Sequence, residues 1–336
     1  MDIRDRRAIH HRASEALAAA SGNPGRIVLC YTAVCAVLAL LSSTLDILLS
    51  NRIADTGGLS NMGLRSILST AQTVLPILQL VITTCLSLGY HICVLRIVRG
   101  QEARPGTLLE GFRNFGPILR AVLFQGMLYL SFGILSMYLS SFIFMMTPYA
   151  APFTQLMAPI LESADLLMAG ELVLDEATVF AAAETLVPMM WIWLAVFLLM
   201  FLPAFYSYRM TVFCIADEPR RGALANLHKS KMMMRRNRFA LLRLDLSMWW
   251  FYALQILIGI ICYGEMLLPM LGLTLPWNPV FSYFFFFVLS LSIQIIGFYF
   301  LMNRVNVAYA VAYDALQQPK EPETPSAPDL PFPTEY

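Results

Sequence analysis

Val187–Ile215 reads VPMMWIWLAVFLLMFLPAFYSYRMTVFCI, and its only side chain charged at neutral pH is Arg209. A hydrocarbon layer of about 30 Å takes roughly 20 helical residues to cross, so this one stretch is long enough with turns to spare. Five more stretches meet the same length: Ile27–Leu49, Ile67–Val98, Ile118–Met146, Leu246–Leu271 and Val280–Met302. The whole chain agrees with them. Of 336 residues 58% are hydrophobic and 13% charged, with a mean hydropathy of +0.64. Soluble domains run at about 45–50% apolar and about 25% charged, so a pair of soluble domains is excluded. The expectation is an all-α, polytopic membrane bundle of six transmembrane helices over residues 1–316. The longer spans predict tilt or extension into the headgroup layer, and Pro76 and Pro203 predict kinks.

Orientation follows from the cations. Of the 23 Lys and Arg, all but Arg52 and Arg65 fall before the first span, between even and odd spans, or after the sixth. By the positive-inside rule both termini are cytoplasmic. Ala121–Tyr208 has no Lys or Arg, and its middle, residues 147–186, carries Glu162, Asp165, Glu171, Asp175, Glu176 and Glu184. This predicts an outer acidic loop with one or two short helices. Its carboxylates lack the spacing of an EF-hand and read as a solvated face rather than a calcium site.

A short amphipathic segment precedes each odd span. AIHHRASEALAAA sets Ile9, Ala13, Ala16, Leu17 and Ala20 on one helical face. TLLEGF opens with Thr107 and Glu110 at capping-box spacing. RGALANLHKSKMMMRRNR mixes Ala223, Leu224, Leu227 and Met232–Met234 with basic groups. Such helices suit the headgroup layer, cations toward anionic lipid. We read three units of interfacial helix plus two spans. Beyond Leu316 prolines recur every third residue from Pro319 to Pro331, which predicts a disordered, Pro-rich cytoplasmic tail over 317–336.

Several function classes find no support. There is no HExxH, GxSxG, Walker A loop or GxGxxG after a strand, so no catalytic residue, cofactor or metal is expected. The adjacent His10 and His11 splay around a helix, which is poor ligand geometry, and no basic groove for nucleic acid is present. The six cysteines lie in or beside apolar stretches and imply no disulfide framework. The first apolar stretch is too long for a cleavable signal. Ionisable groups in or beside spans are the candidate polar residues: Asp46, Arg209, Asp245 and Glu265, with Arg209 and Asp245 placed to pair across neighbouring spans. Gln79, Gln125, Gln255 and Gln294 add hydrogen-bonding groups. The lipid-facing cations are Arg220, Arg221, Lys229, Lys231, Arg235, Arg236 and Arg238.

LHKSKMMMRRNRFALLRLDLSMWW, through Lys231, Met232, Met233, Leu244, Asp245, Leu246, Ser247 and Trp249, resembles a motif of the bacterial membrane family called domain of unknown function 975. LSLGYHICVLRIVRG (Leu86–Gly100) followed by LLEGF, and RASEAL…GNPG (Arg12–Gly25), look like its other characteristic stretches. The acidic loop and the proline tail look like departures. The resemblance implies six spans in a bacterial cytoplasmic membrane and brings no activity, cofactor or site residue. The function expected is therefore a non-enzymatic binding or accessory protein that engages anionic inner-leaflet lipid, or a membrane-protein partner, through its basic helices. The alternative is a transporter or permease for a small solute or lipid.

Overall fold

The computed structural model describes residues 3, 5–55, 62–155, 176–264, 267, 268 and 278–317. The apolar runs form helices wherever they are described, the conformation that satisfies backbone hydrogen bonds within the segment. In order they are α1 (Arg6–Ala18), α2 (Pro24–Asp55), α3 (Met62–Val98), a 3₁₀ turn (Pro105–Leu109), α4 (Glu110–Arg113), α5 (Phe115–Met145), α6 (Glu176–Tyr208), α7 (Thr211–Asp217), a 3₁₀ turn (Pro219–Arg221), α8 (Ala223–Met234), α9 (Arg238–Ser247), α10 (Trp249–Cys262) and α11 (Pro279–Gln317). No strand occurs among the described residues.

Five helical segments are long and apolar enough to cross a membrane, and six if the bent pair α9–α10 counts as one. The bend corrects the expected fifth span. Leu246–Leu271 is not one helix, since the axis turns by 67° between Ser247 and Trp249. Ser247 Oγ donates to Leu244 O (2.6 Å), a back-bond that competes with the helical ladder. Met248, at φ −111° and ψ 27°, then starts the new axis. The fourth stretch also breaks, between Tyr208 and Thr211, whereas α3 and α6 run on through Pro76 and Pro203. The sixth is longer than expected. α11 continues fifteen residues past Met302 to Gln317, making 39 residues in all. At 1.5 Å per residue it is about 58 Å long, roughly twice a hydrocarbon core. Most of the acidic loop, with its expected outer helices, and the tail from 318 lie outside the described residues.

The chain forms two compact units, residues 1–119 with 210–336, and residues 120–209. In the second, α5 and α6 meet through Tyr129 and Phe201, ring centroids 5.0 Å apart. Gln125 Nε2 donates to the Tyr129 hydroxyl (2.6 Å). In the first, the buried core gathers at one end of the long helices, the end rich in Lys and Arg. It comprises the last turns of α3 (Cys85–Ile97), the last turns of α11 (Val305–Tyr313), Ile9 and Ala13 of α1, and Leu241 and Leu244 of α9. Two glycines set its closest approach. A Cβ on Gly89 of α3 would strike the Leu108 backbone, and one on Gly111 of α4 would strike Cys85 O. The LSLGYH and LLEGF motifs are thus two faces of one contact. Thr107 and Glu110 do not form the expected capping box. Thr107 lies inside the 3₁₀ turn, and Arg96 takes both side chains, reaching Glu110 Oε2 at 2.7 Å and Thr107 Oγ1 at 3.2 Å.

Candidate functional site

The basic segment 220–249 folds as two short helices, each with one face buried. Asn226, Leu227, Ser230 and Met234 of α8, and Leu241, Leu244 and Asp245 of α9, face the protein. The opposite faces carry large apolar and cationic side chains side by side. Leu224, Met232, Leu246, Trp249 and Phe239 (79%) are exposed. So are Arg220, Lys231, Arg235, Arg236 and Arg243.

Two of the expected lipid-facing cations are engaged internally. Glu218 accepts from Lys229 Nζ (2.7 Å) and Arg221 Nη1 (2.9 Å), and its backbone carbonyl accepts from Asn226 Nδ2 (3.2 Å). The Lys229 ammonium, then the Arg221 guanidinium, hold the Glu218 carboxyl below its ordinary value. Glu218 therefore pins the start of α8. Arg238 is half-buried, and its Nε has no hydrogen-bond partner among the described residues. Arg220, Lys231, Arg235, Arg236 and Arg243 have no carboxylate within 4 Å among those residues. In water such a face is costly twice over, in exposed hydrocarbon and in like charges held close. A headgroup layer removes both costs.

The other candidate residues are scattered. Asp46 accepts from Gln72 Nε2 (2.9 Å), which also donates to Ser50 Oγ (3.0 Å), on the exposed part of α2 and α3. Asp245 accepts from the Tyr309 hydroxyl, which in turn touches the Tyr252 hydroxyl (2.7 Å). Arg209 belongs to the other unit, where its guanidinium lies 5.0 Å from the Phe205 ring centroid. Glu265 lies outside the described residues.

The strongest charged cluster was not expected from sequence. Arg99, one residue beyond α3, bonds Asp217 of α7 (2.6 Å) and Asp314 of α11 (3.0 Å). Gln317 Nε2 and the Tyr313 hydroxyl also donate to Asp217 (2.8 and 3.2 Å). Hydrogen bonding to Asp217 holds the Arg99 guanidinium above its already high value. Each of the three stands at or near the end of an apolar run, in RIVRG, CIADEP and AYDAL. A cavity of about 280 Å³ beside this cluster is lined by Arg96, Arg99, Glu110 and Asp217, whose charges are matched in pairs. No group of three or more His, Cys, Asp or Glu among the described residues could hold a metal ion.

A family model described as "Protein of unknown function (DUF975)" matches residues 1–320. The match runs on through the acidic segment that the resemblance had set aside, and stops within the proline tail. No curated protein and no solved structure matches the chain.

Proposed function

The chain belongs to the DUF975 family, and on that premise we propose a non-enzymatic binding protein of the bacterial cytoplasmic membrane that grips the anionic inner leaflet. In this reading the protein is multi-pass and both termini are cytoplasmic, which the distribution of Lys and Arg favours. One observation carries it: the exposed faces of α8 and α9 alternate large apolar groups with cations that lack carboxylate partners among the described residues. Each cation near an anionic surface contributes about 1 kcal/mol. The exposed cations attract anionic lipid while Phe239 and Leu246 of α9, with Trp249 at the start of α10, sink among the acyl chains. The transporter reading has less behind it. The first-span carboxylate Asp46 is taken up by Gln72, and the cavities of about 520 and 280 Å³ sit at the basic end of the helices.

The test is native mass spectrometry of the full chain released from nanodiscs of mixed phosphatidylglycerol and phosphatidylcholine. Retained lipid should be enriched in phosphatidylglycerol, and the enrichment should fall with salt and in a Lys231→Gln, Arg235→Gln, Arg236→Gln, Arg243→Gln variant. Equal retention of both lipids by the native chain would remove the proposal. A stoichiometric membrane protein retained in place of lipid would transfer the role to that partner.

A further inference from the structure

A cavity of about 520 Å³ lies where α1, the bend at Met248 and α11 come together, all within the first unit. Its volume lies inside the range of about 300–1,000 Å³ usual for small-molecule sites. Its lining is divided. Leu17 and Trp250 supply apolar surface, while His10, Ser14 and Arg304 supply polar groups. His10, Ser14 and Leu17 come from one stripe of α1, at i, i+4 and i+7.

Arg304, itself an exposed residue, is the cation of the cavity lining. A guanidinium stays charged at any accessible pH, and this one has no carboxylate partner among the described residues. In the cavity of about 280 Å³ beside the Arg99 cluster the opposite holds, since Arg96 and Arg99 are each answered by Glu110 or Asp217. His10 is held in place rather than free to swing. The Ser247 hydroxyl is committed to Leu244 O (2.6 Å), so Ser247 Oγ accepts from His10 Nε2–H (2.9 Å). That fixes the tautomer and leaves Nδ1 as a hydrogen-bond acceptor, suited to a headgroup hydroxyl rather than to a phosphate oxygen.

We propose that this cavity binds the phosphate of an anionic lipid headgroup, with the Arg304 guanidinium as its principal, bidentate contact. The proposal rests on the membrane-binding reading above and gives it a defined site. Arg304 takes the phosphate, His10 Nδ1 and Ser14 Oγ, whose hydroxyl donates to His11 O (2.7 Å), are left to accept from a headgroup hydroxyl, and Leu17 with the Trp250 ring meets the first methylenes, which a free phosphate would leave bare. The bend at Met248 is what opens the room, because an unbroken helix would carry Trp250 on along the axis of α9.

The experiment follows thermal unfolding of the full chain in maltoside micelles while phosphatidylglycerol, phosphatidylcholine or inorganic phosphate is titrated in. Native protein should gain a saturable rise in Tm from phosphatidylglycerol, and little from the other two. Arg304→Gln removes the contact, and Ser14→Trp fills the cavity without altering charge. In both, the half-saturating lipid concentration should rise at least tenfold. Arg235→Gln, Arg236→Gln should keep the saturable component and lose only salt-sensitive binding. Unchanged half-saturation in Arg304→Gln and Ser14→Trp would overturn the cavity site, and a loss confined to the Arg235→Gln, Arg236→Gln variant would leave the surface reading standing. No preference for phosphatidylglycerol in native protein would overturn both. Saturation by inorganic phosphate, abolished by Arg304→Gln, would overturn the lipid as the source of the anion.

Discussion

The two halves of α11 make opposite use of the same helix. From Phe281 to Phe300 its large side chains look outward, Phe281, Phe284, Phe285, Ile296 and Phe300 (63%) among them. From Val305 to Tyr313 nearly everything is buried, and the residues are Val, Ala, Asn and Tyr. α3 repeats the contrast, exposed through Ile67, Val74, Ile77 and Leu80, then buried from Cys85 to Ile97. In α11 the exposed half is the aromatic one and the packed half is made of smaller side chains, whereas in α3 both halves are similarly apolar and only burial tells them apart. The exposed half suits acyl chains, where burial between helices gains nothing over contact with lipid. The packed half behaves as an ordinary protein interior, with small side chains, close backbones and satisfied polar groups.

The contrast can be broken most sharply at the closest backbone approach. Gly89→Ala forces α3 away from the 3₁₀ turn, and because the obstructing atoms are backbone, a loss of roughly 3 kcal/mol or more is expected. Thermal unfolding in detergent reads it as a large drop in Tm, and Gly111→Ala should match it. Next comes the charged clamp. Asp217→Ala removes acceptors from Arg99, Gln317 and Tyr313 together and should cost about 2 kcal/mol. A double-mutant cycle with Arg99→Gln should show the two losses to be far from additive.

A smaller effect is the pH response of His10. Burial, then the nearby Arg6 charge, lowers its pKa from the ordinary 6.5, while Ser247 accepts its Nε2–H. The folded state therefore favours the neutral ring. Stability from this group is complete above about pH 6.5 and is lost as the pH falls from there toward the lowered folded value, where the unfolded chain binds the proton more readily. His10→Gln should flatten that part of the stability profile and lower Tm at pH 8 slightly, through loss of the bond to Ser247. The smallest effect belongs to the exposed half. Phe300→Leu should shift Tm by the equivalent of less than about 0.5 kcal/mol, and a larger loss would mean that this half packs against something.

Element existence was legible because apolar length alone specifies it. The short helices ahead of the odd stretches were legible too, from the face that Ile9 and Ala13 share and from the Leu–Glu–Gly–Phe turn. What hydropathy could not show was where helices stop. Asn303, Arg304 and Asn306 end the apolar run, yet α11 continues, since Tyr90 bonds Asn303 (3.0 Å) and neighbouring elements bury the turns that follow. The bend at Met248 was hidden because LDLSMWWF contains no Pro or Gly. The Arg99 clamp joins residues 118 and 215 positions apart, a pairing that only the topology reveals. At the candidate site the cations were plain in the sequence. That Glu218 takes two of them, and that Arg304 opens onto a cavity, depends on where α7, α1 and the bend bring their side chains.

The late arrival of α11's packed half sets a timetable for synthesis. The buried end of α3 is complete at Val98, but Val305–Tyr313, part of the core it joins, follows some two hundred residues later. At about 5–20 residues per second, roughly 10–40 s separate the two. For that interval Tyr90 lacks Asn303, and Arg99 lacks Asp314. Truncation within α11 should therefore leave a chain whose earlier helices are made but whose basic end has never closed, a natural substrate for quality-control proteolysis.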